Sequence, residues 1–494
     1  MSKRERKHKS DQQLSLWSLS MPFLFMALAN FAASIINTLV LALVPNNGII
    51  YSEAVGVASK IFNIFVTLSI FIVNGIGVVV SQRIGKNDDP KKIEQAIYTS
   101  ISVSTILSLG ITTISEIISP FILYAFLNPD SQQYDQALVY VEVITLTIIL
   151  MIPKNAIGAI VNSYGYVKDT IIWNIVGIVI DVSFTFLFVL GIDMGVLGSA
   201  MGTIIANLVT FIYALIIFNM KVSKFHIKNL SLNSVVVKQL FKTSLPIGFE
   251  KISYNFAMLV VGIFVAQMGL KIPTFMVKDG TSQINLLNLT NTIIETFSNL
   301  ITITSIAFSN GAIIICSRKM GAKDYDHVKK IIKKAFLISI VADMSLAIVF
   351  FFLQPYLIDF FKITQSANIQ IYFNNLIRKI AFIPFLLLIF LQLGRTANII
   401  YLTGPTAYGN LFYNSLFAII NTWLIVIIFG FTSLLTVNDQ WLTMMYGMNG
   451  IFMLKALDEI TRGIFNFSWW KSGKWNRDHK IKNPEEQLIE NSSK

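Results

Sequence analysis

One unit of this sequence occurs twice, and that duplication constrains the fold more than any other feature. NGIGVVVSQRIGKNDDPKKI begins at Asn74 and NGAIIICSRKMGAKDYDHVKKI at Asn310; Asn74/Asn310, Ser81/Ser317, Gly85/Gly321 and Asp88/Asp324 share one offset (310 − 74 = 236). Each copy reads as an apolar run, a small polar residue, a basic residue, a glycine and a short charged segment. A membrane helix leaving the bilayer on its cytoplasmic side has this grammar, because glycine permits a left-handed helix end and Arg or Lys settles among anionic headgroups. The chain is expected to be a duplicated membrane protein.

Composition agrees. The 494 residues are 54% hydrophobic and 13% charged, with a mean hydropathy of +0.64, far outside the soluble range. The net charge of +12 arises from basic residues in bursts between apolar runs, which points to membrane lipids as partners and away from nucleic acid. A single cysteine, Cys316, leaves no disulfide framework and no cysteine metal cluster. His8, His226, His327 and His479 all fall in expected loops or tails, and no HExxH or P-loop is present, so neither a membrane-embedded metalloenzyme nor an ATP-driven pump is expected, and no cofactor is implied.

Apolar runs of about 20 residues place spans near 16–43, 54–81, 95–125, 136–162, 169–190 and 195–219, then near 245–269, 286–316, 333–360, 372–402, 407–431 and 441–469. The expectation is an all-α integral membrane protein of about twelve transmembrane helices in two six-helix bundles. The bundles cover 1–220 and 244–475, joined by a cytoplasmic linker, 221–243, and followed by a polar tail, 476–494. Expected inner segments carry Arg83, Lys86, Lys91, Lys92, Lys168, Arg318, Lys319, Lys323, Lys329, Lys330, Lys471 and Lys474, whereas the outer loops PNNGIIYSE, LNPDSQQYDQ and TVNDQ carry no Lys or Arg. Only Lys271, Lys278 and Lys362 depart from the positive-inside pattern, and both termini are expected in the cytoplasm. The repeat extends to Pro22/Pro246 (offset 224) and Gly165/Gly404 (offset 239), and the drift in offset needs about a dozen extra residues, which LKIPTFMVKDGTSQ supplies. Units with an even number of spans enter from the same side, so they are parallel repeats with a cavity expected between them.

Three segments carry a family likeness: VNGIGVVVSQRIG, then NIVGIVIDVSFTFLFVLGIDMGVLGSAMGT, then LDEITRGIFNFSWWKSGKW. In this order on a duplicated chain they resemble the multidrug and toxic compound extrusion (MATE) family, from about Pro22 to Trp475. The likeness implies export of amphipathic, often cationic small molecules by alternating access, driven by a proton or sodium ion, by a monomer in the bacterial cytoplasmic membrane. Asp181 and Thr203 match the coupling positions of the branch that works through the N-terminal bundle. Asn37 stands where that branch has an acid in the first span, and Gly177 where it usually has Asn. A lipid-linked-sugar flippase of the same superfamily is the runner-up.

A charge near the bilayer centre is costly, so it usually has a partner or a task. Asp181 lies mid-span, and its repeat position is Ile420 (181 + 239 = 420), so the acid belongs to one half only. Asp181, Asn37, Thr203, Asn155 and Asn174 form the expected coupling set, with a sodium ion near Asp181 as one option. Asn63, Glu250, Asn255, Glu295, Arg395, Asn398 and Asn421 form the expected substrate-cavity set. Glu142 is read as interfacial and Asp343 as structural, while Lys60, Lys154, Arg395 and Lys455 are the cations available to pair with the acids.

Overall fold

The structure, a computed structural model, describes residues 15–45, 48–126, 132–226, 229–271, 276–279, 282–360, 367–436 and 447–475. The basic segment 1–14, the polar tail, Lys362 and residues 46–47, 127–131 and 437–446 around the expected outer loops lie outside the described residues. In hydrocarbon every backbone polar group must be satisfied within the chain, so an apolar run of this length has to be helical. The helices are α1 (Leu16–Ala42), α2 (Gly48–Gly85), α3 (Pro90–Phe126), α4 (Gln132–Thr145), α5 (Thr147–Ser163), α6 (Val167–Phe186) and α7 (Gly195–Lys221). They continue as α8 (Ser234–Lys271), α9 (Leu286–Gly321), α10 (Tyr325–Phe360), α11 (Ala367–Tyr408), α12 (Phe412–Thr436) and α13 (Asn449–Ser472).

α4 and α5 make one broken span, Gln132–Ser163, so the thirteen α-helices among the described residues correspond to twelve spans. Nine spans of described residues are long and apolar enough to cross a membrane by length and composition. The other three, α2, α8 and α13, are 38, 38 and 24 residues long, above the roughly 20 that a crossing needs. One local exception interrupts the helical pattern. β1 (Met276–Asp279) and β2 (Ser282–Asn285) pair antiparallel with Val277 opposite Ile284, inside the loop that accounts for the drift in repeat offset.

The duplicated stretch ends its helices differently from the sequence-based expectation. Gly85 and Gly321 are helical, and the left-handed residues are Asn87 (φ 52°) and Lys323 (φ 59°), which share the same 236-residue offset. Asn tolerates this conformation better than most side chains, and Lys323 adopts it in a tight turn. The glycines serve close packing instead: a Cβ on Gly85 would collide with the carbonyl oxygen of Arg318, and one on Gly321 with that of Gln82. Immediately downstream, Asp89 accepts from the Lys91 N–H (2.9 Å) ahead of Pro90 at the start of α3, and Asp324 accepts from the His327 N–H (3.3 Å) at the start of α10. Both are side-chain caps on first-turn amides, which have no intrahelical partner.

Two compact units result, one comprising Met1–Ile252 with Asn310–Lys329 and the other Ser253–Ser309 with Lys330–Lys494. In the first, Ile76, Val80, Ile157, Val161, Trp173 and Phe218 centre one core, and Leu41, Ala58, Ile144, Ile148 and Val196 centre another. In the second, Val261, Ile294, Phe385, Leu388, Phe429 and Phe452 pack together.

Candidate functional site

Each of these apolar units holds a centre of hydrogen-bonded polar side chains. In the first unit α6 and α7 run against each other on small residues: a Cβ on Gly177 would meet Thr210 Cγ2 at 2.7 Å, and one on Gly202 would meet the Thr185 nitrogen at 3.0 Å. Small residues let two membrane helices approach until short polar side chains span the gap. Thr203, next to Gly202, does so, and its hydroxyl donates to Asp181 Oδ1 at 2.7 Å. From α1, Asn37 Nδ2 donates to Asp181 Oδ2 at 2.8 Å, which leaves the Asn37 carbonyl oxygen buried with no partner. Shortly after Asp181, α6 widens into a π-helical turn, Leu187–Gly191, a distortion that often accompanies functional sites.

Asp181 therefore accepts one hydrogen bond on each oxygen, both from neutral groups, and no Lys or Arg among the described residues forms an ion pair with it. The nearest link to a cation runs along α7. Lys154, buried on α5, donates to Asn207 Oδ1 at 2.8 Å, and Asn207 Nδ2 donates to the Thr203 carbonyl at 2.9 Å. Of the expected coupling set the structure brings together Asp181, Asn37 and Thr203. Asn174 instead donates to the Thr170 carbonyl of its own helix at 2.6 Å, and Asn155 is half-buried on α5 with no hydrogen bond to Asp181. Asn207 was not singled out in the sequence, and its i, i+4 spacing from Thr203 is the signal that places both on one face.

The second unit holds a network of opposite charges. Gly394 and Gly463 bring α11 and α13 to backbone contact, a Cβ on Gly463 meeting the Gly394 carbonyl at 2.7 Å. Arg395, next to Gly394, then donates through Nε to Glu459 Oε1 at 2.9 Å, and Asn398, one turn on, donates to Glu459 Oε2 at 2.9 Å. Arg462 pairs with Asp458 at 2.7 Å and Glu459 at 3.2 Å, and Lys455 pairs with Glu295 from α9. Asn421 on α12 donates to Asp458 Oδ1 at 2.6 Å, and Tyr254 on α8 presents its ring to Arg462 at 5.3 Å. Three formal positive charges thus meet three negative ones. Tyr254, Arg395, Lys455, Asp458 and Glu459 also border a cavity of about 10 Å³, the size of one water.

From the expected cavity set, Glu295, Arg395, Asn398 and Asn421 are joined in this network, while Asn255 is half-buried on α8 of the same unit. Glu250 is buried but belongs to the first unit, and Asn63 lies on an exposed face of α2. Asp458, Glu459 and Arg462 were legible only as part of the LDEITRGIF likeness, although their i, i+3 and i, i+4 spacing is that of helix ion pairs. Among the described residues no cluster of three or more His, Cys, Asp or Glu could hold a metal ion.

Comparison with known proteins places these features in a context. A family model described as MatE matches residues 22–187 and 291–424. Uncharacterized transporter YisQ of Bacillus subtilis is 26% identical over 95% of this chain and 96% of its own length. Probable multidrug resistance protein NorM of Streptococcus pneumoniae is 24% identical, covering 62% of this chain and 65% of that protein. Among solved structures, a MOP superfamily transporter from Pyrococcus furiosus superposes with a TM-score of 0.78 at 15% identity, covering 92% of this chain and 94% of that one. An outward-facing multidrug resistance MATE family transporter superposes with a TM-score of 0.76 at 14% identity.

Proposed function

The chain belongs to the MatE family, and on that premise we propose that this multi-pass membrane protein is a secondary active exporter of amphipathic, often cationic small molecules, driven by inward movement of a proton or sodium ion. The multidrug functions in the names of its relatives support the substrate class. One observation carries the coupling assignment: Asp181 sits mid-membrane, hydrogen-bonded on both oxygens by neutral Asn37 and Thr203, with no ion pair to a described cation. A carboxylate there needs a positive charge, and in the coupling cycle a proton or sodium ion supplies it. Loading and unloading that charge alters what α1, α6 and α7 gain from meeting at Asp181. A ligand can bias two conformations only by such a differential interaction.

Alternating access then follows from exposing Asp181 to one side of the membrane at a time. Dye efflux from proteoliposomes, under a proton gradient and a sodium gradient imposed separately, tests the reading. Efflux driven by one of the two gradients is expected, and efflux indifferent to both would overturn it.

A further inference from the structure

A second acid in the membrane interior has no ion pair with a cation among the described residues. Asp343 lies 18 residues into α10, about 27 Å along a helix that rises 1.5 Å per residue, and it is 0% exposed. The other deep acids of its unit are paired: Glu295 with Lys455, Asp458 with Arg462, and Glu459 with Arg395 and Arg462. Among the described residues the hydrogen-bonding side chains around Asp343 are hydroxyls, and the Ser305 backbone N–H lies near the same carboxyl. Ser305 on α9 and Thr396 on α11 both donate to its Oδ2, Thr396 at 2.7 Å, and these two hydroxyls lie 3.2 Å apart. Its other oxygen, Oδ1, is buried with no partner.

The charged and titratable groups on the helices that contact it are engaged elsewhere or far along the chain. On α9, Glu295 is held by Lys455, and Cys316 and Arg318 lie three or more turns beyond Ser305, Arg318 donating to the Ser163 carbonyl. On α11, Arg395 is held by Glu459, Ser298 and Thr302; Arg378 pairs with Asp359; Lys379 is exposed; and Tyr401 packs against Phe336. On α10 itself, Lys333 and Lys334 are exposed and more than two turns away.

A carboxylate sealed from water with neither a cation nor a donor on one oxygen would be an uncompensated charge, which protein interiors avoid by neutralising the group. Two donors converging on Oδ2 and none on Oδ1 is the pattern of a carboxylic acid whose proton sits on Oδ1. We propose that Asp343 is a proton-binding residue of this protein, carrying its proton on Oδ1 with Ser305 and Thr396 holding the acceptor oxygen. The site is separate from Asp181 and stands whether or not Asp181 couples transport.

Infrared difference spectroscopy on purified full-length protein at neutral pH tests this, subtracting the spectrum of Asp343→Asn from that of the wild type. The expected result is loss of a protonated carboxylic acid C=O band; loss of carboxylate bands instead would overturn the proposal. If Asp343→Asn fails to fold, Thr396→Val keeps the carboxyl while removing one donor, and the acid band is expected to move to higher frequency, no movement being the contrary result. Exchanging choline for sodium is expected to leave the band in place. Its conversion to a carboxylate band would make the site sodium's rather than the proton's.

Discussion

Gly85 is packed directly against the backbone of Arg318, and its repeat mate Gly321 is packed in the same way against Gln82, the repeat mate of Arg318. The contact is thus duplicated along with the sequence. Gly85→Ala and Gly321→Ala should each destabilise the protein by roughly 1–3 kcal/mol, because the obstructing atom is backbone and cannot swing aside. Gly110→Ala, with nothing within 4 Å of the added carbon, is the control. Apparent melting temperature in detergent should fall for the first two and hold for the third.

The network of the second unit makes a contrasting prediction. Removing one partner of a buried ion pair leaves the other charge uncompensated, which typically costs about 3–5 kcal/mol, whereas removing both is far cheaper. Arg395→Met should therefore lower the melting temperature more than the double variant Arg395→Met, Glu459→Leu would if the pair stood alone. Here Glu459 also holds Arg462, so Lys455→Met against Lys455→Met, Glu295→Leu is the cleaner cycle. A double variant less stable than either single one would contradict the pairing.

Outside the membrane, Asp324 offers a pH-dependent test. Burial works against its charge, but hydrogen bonds and proximity of His327, with Lys319 nearby, outweigh it and hold the carboxyl below the usual carboxylate range. A depressed folded value contributes stability above the unfolded value of about 3.9, and that contribution is lost as pH falls through the folded one. The Asp324 side chain is 34% exposed at the surface, so solvent screens the pair and Asp324→Asn should cost only on the order of 0.5 kcal/mol at neutral pH. The difference from wild type should shrink as pH falls below about 4 and vanish only once pH lies below the depressed folded value; a constant difference down to strongly acidic pH would contradict it.

Membrane orientation is testable with single cysteines in a background lacking the buried Cys316. Labels at Asp88 and Lys323 should react only from the cytoplasmic side, and a label at Asp193, between α6 and α7, only from outside. Reaction of Asp88 from outside would invert the topology.

The parts legible in the sequence are those that depend on length and repetition. Twelve spans follow from apolar run length, and the duplicated helix ends follow from one shared offset. Depth along a helix was legible too, which is why Asp181 stood out. Facing was not. A helix apolar on all sides has no periodic stripe to orient it, so Asn63, exposed on α2, could not be told from Asn398, buried on α11. Gly85 was read as a left-handed helix end because glycine serves chain reversal and close packing equally well; which use applies depends on Arg318, over 230 residues away. The partners of Asp343, hydroxyls from distant helices, carry no pattern along the chain.

Asp181→Asn reaches the proposed coupling role of Asp181 most directly. The amide fits the same space between Asn37 and Thr203 but cannot change charge, and removing a membrane charge should not impair insertion. An Asp serving only as interhelical glue contributes roughly 0.6 kcal/mol per hydrogen bond, and an amide would largely replace it. Initial dye efflux from proteoliposomes, at matched incorporation and across imposed proton and sodium gradients, separates these cases. If Asp181 couples transport, the variant protein folds but its gradient-driven efflux is abolished; a variant with wild-type rates and wild-type ion dependence contradicts that role.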